Sequence, residues 1–104
     1  MLFISARLEL DPAHADAYIA AAEAIVAPTR AEKGCNVYAF SRDIVDSNIV
    51  WISEEWDSEE DLMAHLSTAH IADFLKKTQA FNILSMDARK YEIASVSPMG
   101  VPEN

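Results

Sequence analysis

Two short stretches decide the fold of this chain: TRAEKGC at residues 29–35 and EEWDSEEDLMAHL at residues 54–66. Each stretch joins two predicted elements. Gly34 suits the end of a helix just before a strand, and Trp56 ends a strand ahead of an acidic helix start. His65 follows Trp56 after about two and a half helical turns. These positions predict that a tryptophan and a histidine meet at one pocket.

The hydrophobic pattern on either side of these stretches predicts alternating strands and helices. Residues 2–10 place their apolar side chains on one face, which is typical of a strand with one buried side. Asp11 is the expected N-cap of a helix, and Pro28 is expected to end or kink that helix. Two further strands, at residues 35–42 and 48–56, are joined by a polar link and form a predicted hairpin.

The second half of the chain predicts a helical segment and a last strand. Ser58, with Asp61 three residues later, resembles a capping box that starts a helix. Thr68 is the expected cap of a further helix. The last strand is predicted at about residues 89–96, so the domain spans residues 1–97 and is followed by an irregular C-terminal tail at residues 98–104.

The resulting βαββαβ order predicts an α+β fold, a ferredoxin-like sandwich with an antiparallel sheet and helices on one face. The middle strands carry large apolar residues on both of their faces. A sheet with one solvent-exposed face should instead carry polar residues on that face. We therefore predict that the face bearing Tyr38, Phe40 and Trp51 packs against the sheet of a second copy. The expected assembly is a homodimer.

Composition limits the partners of the protein. The 104 residues carry a formal net charge of −9, which disfavours nucleic acid and anionic membranes because both would repel the chain. Cys35 is the single cysteine, and no cysteine–histidine cluster has zinc-ligand spacing. The first ten residues lack a basic region and no apolar run approaches the roughly 20 residues of a membrane span. A cytoplasmic protein is expected.

Several motifs, taken together and in order, resemble the antibiotic biosynthesis monooxygenase family, a branch of the dimeric α/β-barrel proteins. The likeness covers nearly the whole chain and is most specific between residues 29 and 74. The matching positions are the T-R-A-E-x-G-C junction at 29–35, Tyr38 after it, the E-x-W-x-S-x-E-x-L-x-x-H-like run at 54–65, the H-x-x-x-F pair His70 and Phe74, and the closing residues 89–93.

This resemblance implies oxygenation of an electron-rich aromatic, such as a hydroquinone or a polycyclic polyketide, by dioxygen and without metal, flavin or other cofactor. A deprotonated hydroquinone can itself give one electron to dioxygen. The protein then needs only to bind it, remove a proton and exclude water. The sequence is compatible with this chemistry, since it contains no dinucleotide-binding or P-loop motif.

Five residues are the candidate site. His65 and Trp56 are the predicted catalytic pair, because the ordinary histidine pKa of roughly 6.5 suits proton abstraction near neutrality. Tyr18, His70 and Phe74 are the predicted substrate contacts. The competing interpretation makes Trp56 a core anchor and His65 a buried histidine bonded to the backbone.

Other functions compete with oxygenation. One is a non-catalytic module that binds a small aromatic. Another is isomerisation or proton transfer on a phosphorylated or carbonyl metabolite, for which Arg7, Arg30 and Arg42 are the candidate anion site. Haem degradation ranks last, because the haem-degrading relatives use an asparagine where the first strand offers only Ser5 and Ala6.

Overall fold

The computed structural model of the protein describes residues 1–100. The predicted α+β class and ferredoxin-like sandwich are confirmed, with the second helical segment divided into two helices. Residues 98–100 carry no helix or strand, and the rest of the predicted C-terminal tail lies outside the described residues. The elements are β1 (Leu2–Leu10), α1 (Ala15–Arg30), β2 (Cys35–Arg42), β3 (Ile49–Trp56), α2 (Glu59–Leu66), α3 (Ala69–Thr78) and β4 (Ile83–Glu92).

The four strands form one antiparallel sheet in the order β2-β3-β1-β4. β1 is central, and Ala6 pairs with Ile52 of β3 on one side and with Ala88 of β4 on the other. Since side chains alternate along a strand, this register puts the even-numbered residues of β1, β3 and β4 on one face. The helices pack on that face, and the even-numbered side chains Leu2, Ala6, Leu8 and Leu10 of β1 are buried there.

The prediction that Tyr38, Phe40 and Trp51 share one face was wrong. The hairpin register pairs Tyr38 with Glu54 and Ser41 with Trp51. Tyr38 and Phe40 therefore point toward the helices, where Tyr38 is only 4% exposed, while Trp51 lies on the opposite, outer face of the sheet. The alternation along each strand was predicted correctly, but the register between strands decides which residues of neighbouring strands share a face.

Helix α1 begins later than the sequence predicted, continues past the expected break at Pro28, and ends at Arg30 with Ala31 as its C-cap, before the predicted helix end at Gly34. The carboxylate of Asp11 accepts a hydrogen bond from the Ala13 N–H at 2.9 Å within a turn, and the helix starts only at Ala15. Pro28 lies in the last turn, and the helix continues past it to Arg30. A proline this close to the C-terminal end removes one hydrogen bond but does not stop the final turn.

The later elements follow the predicted order with one shifted strand. Ser58 caps α2 as expected, since its hydroxyl accepts a hydrogen bond from the Asp61 N–H at 3.1 Å. Thr68 occupies the N-cap position of α3, but its hydroxyl donates to the His65 carbonyl instead of capping that helix. The last strand, β4, covers Ile83–Glu92 and starts six residues before the predicted position, directly after Asn82 with its positive φ of 44°.

Helices and sheet enclose a single core, whose largest fully buried side chains include Trp56 and Tyr18. The outer face of the sheet and most of strand β4 remain uncovered. Within residues 1–100, no helix is long and apolar enough to cross a membrane.

The turn between α1 and β2 depends on the backbone conformation of Gly34, so substitution of Gly34 tests the fold. Its φ is 81°, and a Cβ built there would collide with the Asp61 side chain. We expect Gly34→Ala to lower the free energy of unfolding by about 2–3 kcal/mol, measured by urea denaturation. Gly100→Ala is the matched control: its φ of 70° carries at most the same backbone penalty of about 1–2 kcal/mol, but nothing lies within 4 Å of the added carbon, so a smaller loss of stability is expected. Equal effects of the two substitutions would contradict this account.

Candidate active site

The two stretches that decide the fold meet at one end of the sheet. The Asp57 N–H donates a hydrogen bond of 2.8 Å to the Gly34 carbonyl, and Cys35 pairs with Trp56 across the hairpin. The turn between α1 and β2 therefore lies against the turn between β3 and α2. This contact brings Glu32, in the turn between α1 and β2, next to His65 of α2.

His65 is the most buried ionisable side chain of this region, at 2% exposed. Its ring lies 4.7 Å from the ring of Trp56, with an angle of 35° between the planes, and contacts the Tyr38 ring edge-on at 5.4 Å. Trp56 is fully buried. Packing of this kind holds an imidazole in one orientation, which a base or ligand requires.

The Glu32 carboxylate joins two histidines through one oxygen. Its Oε2 lies 2.8 Å from Nδ1 of His65 and 2.8 Å from Nε2 of His70. A carboxylate only accepts hydrogen bonds, so both ring nitrogens are donors. In a neutral His65 the proton is therefore on Nδ1, and Nε2 is left with a free lone pair.

A second carboxylate, Glu54, faces the other nitrogen of His65. Its Oε1 lies 4.0 Å from Nε2 of His65 and accepts a hydrogen bond of 3.0 Å from Nε1 of Trp56. Burial raises the pKa of Glu54, and the nearby charge of Glu32 adds to the rise; the Trp56 hydrogen bond and His65 oppose it. His65 thus sits between two glutamates.

An apolar cavity of about 340 Å³ opens beside His65 and Glu54, between the sheet and helices α1, α2 and α3. Tyr18 and Phe74 meet edge-on at 5.7 Å in its wall, and strand β4 contributes Met86 at its less covered side. Most of the wall is aliphatic or aromatic, and its polar side chains are those of Glu54, His65, Thr78 and two tyrosines. The lining consists of Ile4, Ala6, Leu8, Tyr18, Tyr38, Phe40, Ile52, Glu54, His65, Leu66, Ile71, Phe74, Leu75, Thr78, Ile83, Met86 and Ala88.

Two tyrosines of this wall keep their protons at physiological pH. Burial raises the pKa of Tyr18 to about 12. Burial also raises the pKa of Tyr38, and the neighbouring Glu54 charge raises it further. A phenol held in its neutral form can donate a hydrogen bond to a ligand but cannot serve as a base near neutrality.

The structure brings three of the five candidate residues to the cavity. His65, Tyr18 and Phe74 line it. Trp56 lies behind His65 and Glu54 as a core anchor that also positions them, and His70 reaches the cluster through Glu32. The catalytic and substrate-binding roles predicted for these five residues stay predictions.

Sequence reasoning missed the two glutamates. Glu54 could have been found, because alternation along β3 places it on the same face as Trp56 and therefore against the core. Glu32 stands inside the TRAEKGC stretch, but its partners His65 and His70 are 33 and 38 residues away in sequence. No local spacing rule connects residues so distant, and only the packing of α2 and α3 against the turn does so.

The remaining residues singled out in the sequence lie elsewhere. Arg7 stacks over Trp51 on the outer face of the sheet, Arg30 donates to the Tyr38 carbonyl and Arg42 pairs with Asp16. Within the described part of the chain, no arginine lines the cavity. The anion site needed for a phosphorylated metabolite is therefore not formed there.

The cluster of Glu32, His65 and His70 also has the composition of a metal site. One ligand atom from each residue lies within 4.8 Å of the other two. Two imidazoles and a carboxylate are a common donor set for first-row transition metals.

Comparison with known proteins places the fold in a known family. A sequence model described as antibiotic biosynthesis monooxygenase matches residues 1–77. The chain is 23% identical over 94 residues to YcnE of Bacillus subtilis, a protein named as a candidate monooxygenase, and the match covers 90% of this chain and 99% of YcnE.

Solved structures share the fold of this chain. A candidate antibiotic biosynthesis monooxygenase from Deinococcus radiodurans superposes with a TM-score of 0.85 at 24% identity, over 96% of this chain and 100% of that one. Protein PA3566 from Pseudomonas aeruginosa superposes with a TM-score of 0.81 at 31% identity, over 89% of this chain and 94% of that one. The family model, which matches residues 1–77, is what establishes membership. The chain therefore belongs to the antibiotic biosynthesis monooxygenase family.

Proposed function

We propose that the protein is a cofactor-independent monooxygenase that oxidises a hydroquinone-type aromatic with dioxygen. One observation carries the proposal: His65, hydrogen-bonded to Glu32, lines an apolar cavity. A positioned base beside a dry pocket is what this chemistry requires of a protein. Membership in the family, and the monooxygenase name of the Bacillus subtilis relative, support the same reaction class.

The cavity favours a compact aromatic substrate. Its volume of about 340 Å³ is near the lower end of the roughly 300–1,000 Å³ typical of small-molecule sites. Flat aromatic rings such as those of Tyr18 and Phe74 can pack against a substrate ring. A substrate of one or two fused rings suits this space better than a large polycyclic polyketide.

In the proposed reaction, His65 takes the first proton. Its Nε2 accepts the proton of a substrate hydroxyl, and the resulting phenolate transfers one electron to dioxygen. Superoxide and the substrate radical then combine at a ring carbon, and the imidazolium of His65 returns its proton to the resulting peroxide to give a hydroperoxide. Loss of water leaves one oxygen atom on the ring, so hydroquinone and dioxygen yield a hydroxyquinone and water.

The neighbouring residues assist His65 in this scheme. Glu32 fixes the proton on Nδ1 and stabilises the imidazolium that forms after proton transfer, as the aspartate does in a catalytic triad. Trp56 holds the imidazole plane and supplies a hydrogen bond to Glu54. Tyr18 and Tyr38, which stay protonated, are suited to donate hydrogen bonds to substrate oxygens.

The test of the base is a substitution that keeps the volume of His65. We expect His65→Gln to lower kcat for oxygen uptake with a panel of hydroquinones by about 100-fold or more, the usual size for loss of a positioned base. His14→Ala is the matched control, because His14 lies away from the cavity and stacks on Phe81. Circular dichroism and the urea midpoint of each variant establish that the fold is retained.

Two outcomes would contradict the proposal. Oxygen uptake by the unmodified protein no faster than autoxidation, together with tight binding of an aromatic, would make it a binding module. Retention of most of the activity in folded His65→Gln would show that the substrate's own acidity suffices and that the cavity only orients it.

We also propose that the working form is a homodimer. Apolar side chains remain exposed on the outer face and on edge strand β4, including Trp51 at 37% and Met86 at 65% exposed. An uncovered edge strand with apolar side chains is typical of an interface. Because Met86 also lines the cavity, a second copy over β4 would help to exclude water from it.

Sedimentation at micromolar concentration tests this assembly. We expect about twice the protomer mass of 11.5 kDa, and we expect Trp51→Asp to shift the protein toward the monomer, since a charge would be buried in the interface. Met63→Asp, on the exposed side of α2, is the control and should leave the dimer intact. A monomeric unmodified protein would rule out the dimer.

A further inference from the structure

Three ligand atoms from three separate elements converge at the base of the candidate site. Glu32 comes from the turn after α1, His65 from α2 and His70 from the first turn of α3. The Glu32 Oε2 is 2.8 Å from the near nitrogen of each histidine, and each of the three ligand atoms lies within 4.8 Å of the others. If Glu32 served only to accept the Nδ1 proton of His65, it would not need a second partner in His70.

The donor set and spacing suit one class of ion. Imidazole nitrogens favour zinc, copper, nickel, cobalt and iron over magnesium or calcium, which prefer oxygen ligands. Ligands at about 2.0–2.1 Å in a tetrahedron lie roughly 3.3 Å apart, so each N···O distance must open by only about 0.5 Å. Three protein ligands leave a fourth position for water.

We propose that Glu32, His65 and His70 form a binding site for a divalent transition-metal ion of the zinc class, and that the ion switches off His65 as a base. The metal takes the place of the two protons that now lie between the Glu32 oxygen and the histidine nitrogens. The site is assembled by the fold from residues that share no short sequence motif.

A carboxylate lies near the other ring nitrogen of His65. Metal-ligating histidines usually donate their other ring N–H to a carboxylate, and the Glu54 Oε1, 4.0 Å from the Nε2 of His65, has to move closer by about 1 Å to accept such a hydrogen bond. The two glutamates together compensate the charge of a divalent cation. His70, whose side chain is 24% exposed, gives the ion a path from solvent.

The effect on activity follows from the tautomer of His65. When Nδ1 coordinates a metal, a neutral imidazole carries its proton on Nε2, which then donates toward Glu54 and cannot accept a proton from substrate. This consequence rests on the proposed function. The metal site itself does not, because its binding can be measured without substrate or turnover.

Titration of the intact protein with Co²⁺, and competition by Zn²⁺, measures the site directly. We expect one ion per protomer and a visible absorption typical of four-coordinate Co²⁺ with nitrogen and oxygen ligands. Adding Zn²⁺ should abolish this absorption. His70→Ala and Glu32→Gln should each weaken binding by more than the roughly 10–100-fold caused by loss of an outer-shell partner. His14→Ala removes the one histidine outside the cluster and should bind as the unmodified protein does.

A measurement on the unmodified protein keeps the proposal testable if a variant fails to fold. Paramagnetic Co²⁺ should shift or broaden the ring signals of His65 and His70 in NMR spectra and leave those of His14 unchanged. Absence of saturable binding, or binding that His70→Ala leaves unaltered, would overturn the metal site. If the ion binds but oxygen uptake with hydroquinone continues undiminished, the site stands and the switch is wrong.

Discussion

The hydrogen bond between the Glu32 carboxylate and Nδ1 of His65 is the interaction on which the candidate site depends. It spans the turn after α1 and helix α2, and the same oxygen reaches His70 at the start of α3. A buried imidazole needs a partner for its N–H. One carboxylate therefore fixes the tautomer of His65 and also holds three elements together at one end of the sheet.

Two ionisable side chains, Glu54 and His65, lie side by side in the wall of a largely apolar cavity. Burial raises the pKa of Glu54, which also accepts a hydrogen bond from Trp56. Electrostatic interactions are stronger where water is excluded, which supports both the proposed proton transfer and the proposed metal binding. The two functions compete for the same ring, because a proton on Nδ1 and a metal on Nδ1 exclude each other.

The sequence predicted the fold well because the fold depends on local signals. Alternation in β1, the cap at Ser58 and the glycine at position 34 each indicate an element or its end. Strand register is not local, and for that reason Trp51 was assigned to the wrong face of the sheet. The site was predicted less completely. His65 lines the cavity, and alternation along β3 could also have identified Glu54, but the contact of Glu32 with His65 depends on the packing of α2 against the turn after α1.

The protonation of His65 tests this account most directly. Nitrogen-15 NMR of the imidazole at neutral pH reports which ring nitrogen carries the proton, with no need for a substrate. The account predicts a protonated Nδ1 and a bare Nε2 for His65 in the metal-free protein, and loss of that preference in Glu32→Gln. A proton on Nε2 in the unmodified protein would contradict it, because the nitrogen assigned as the base could not then accept a proton.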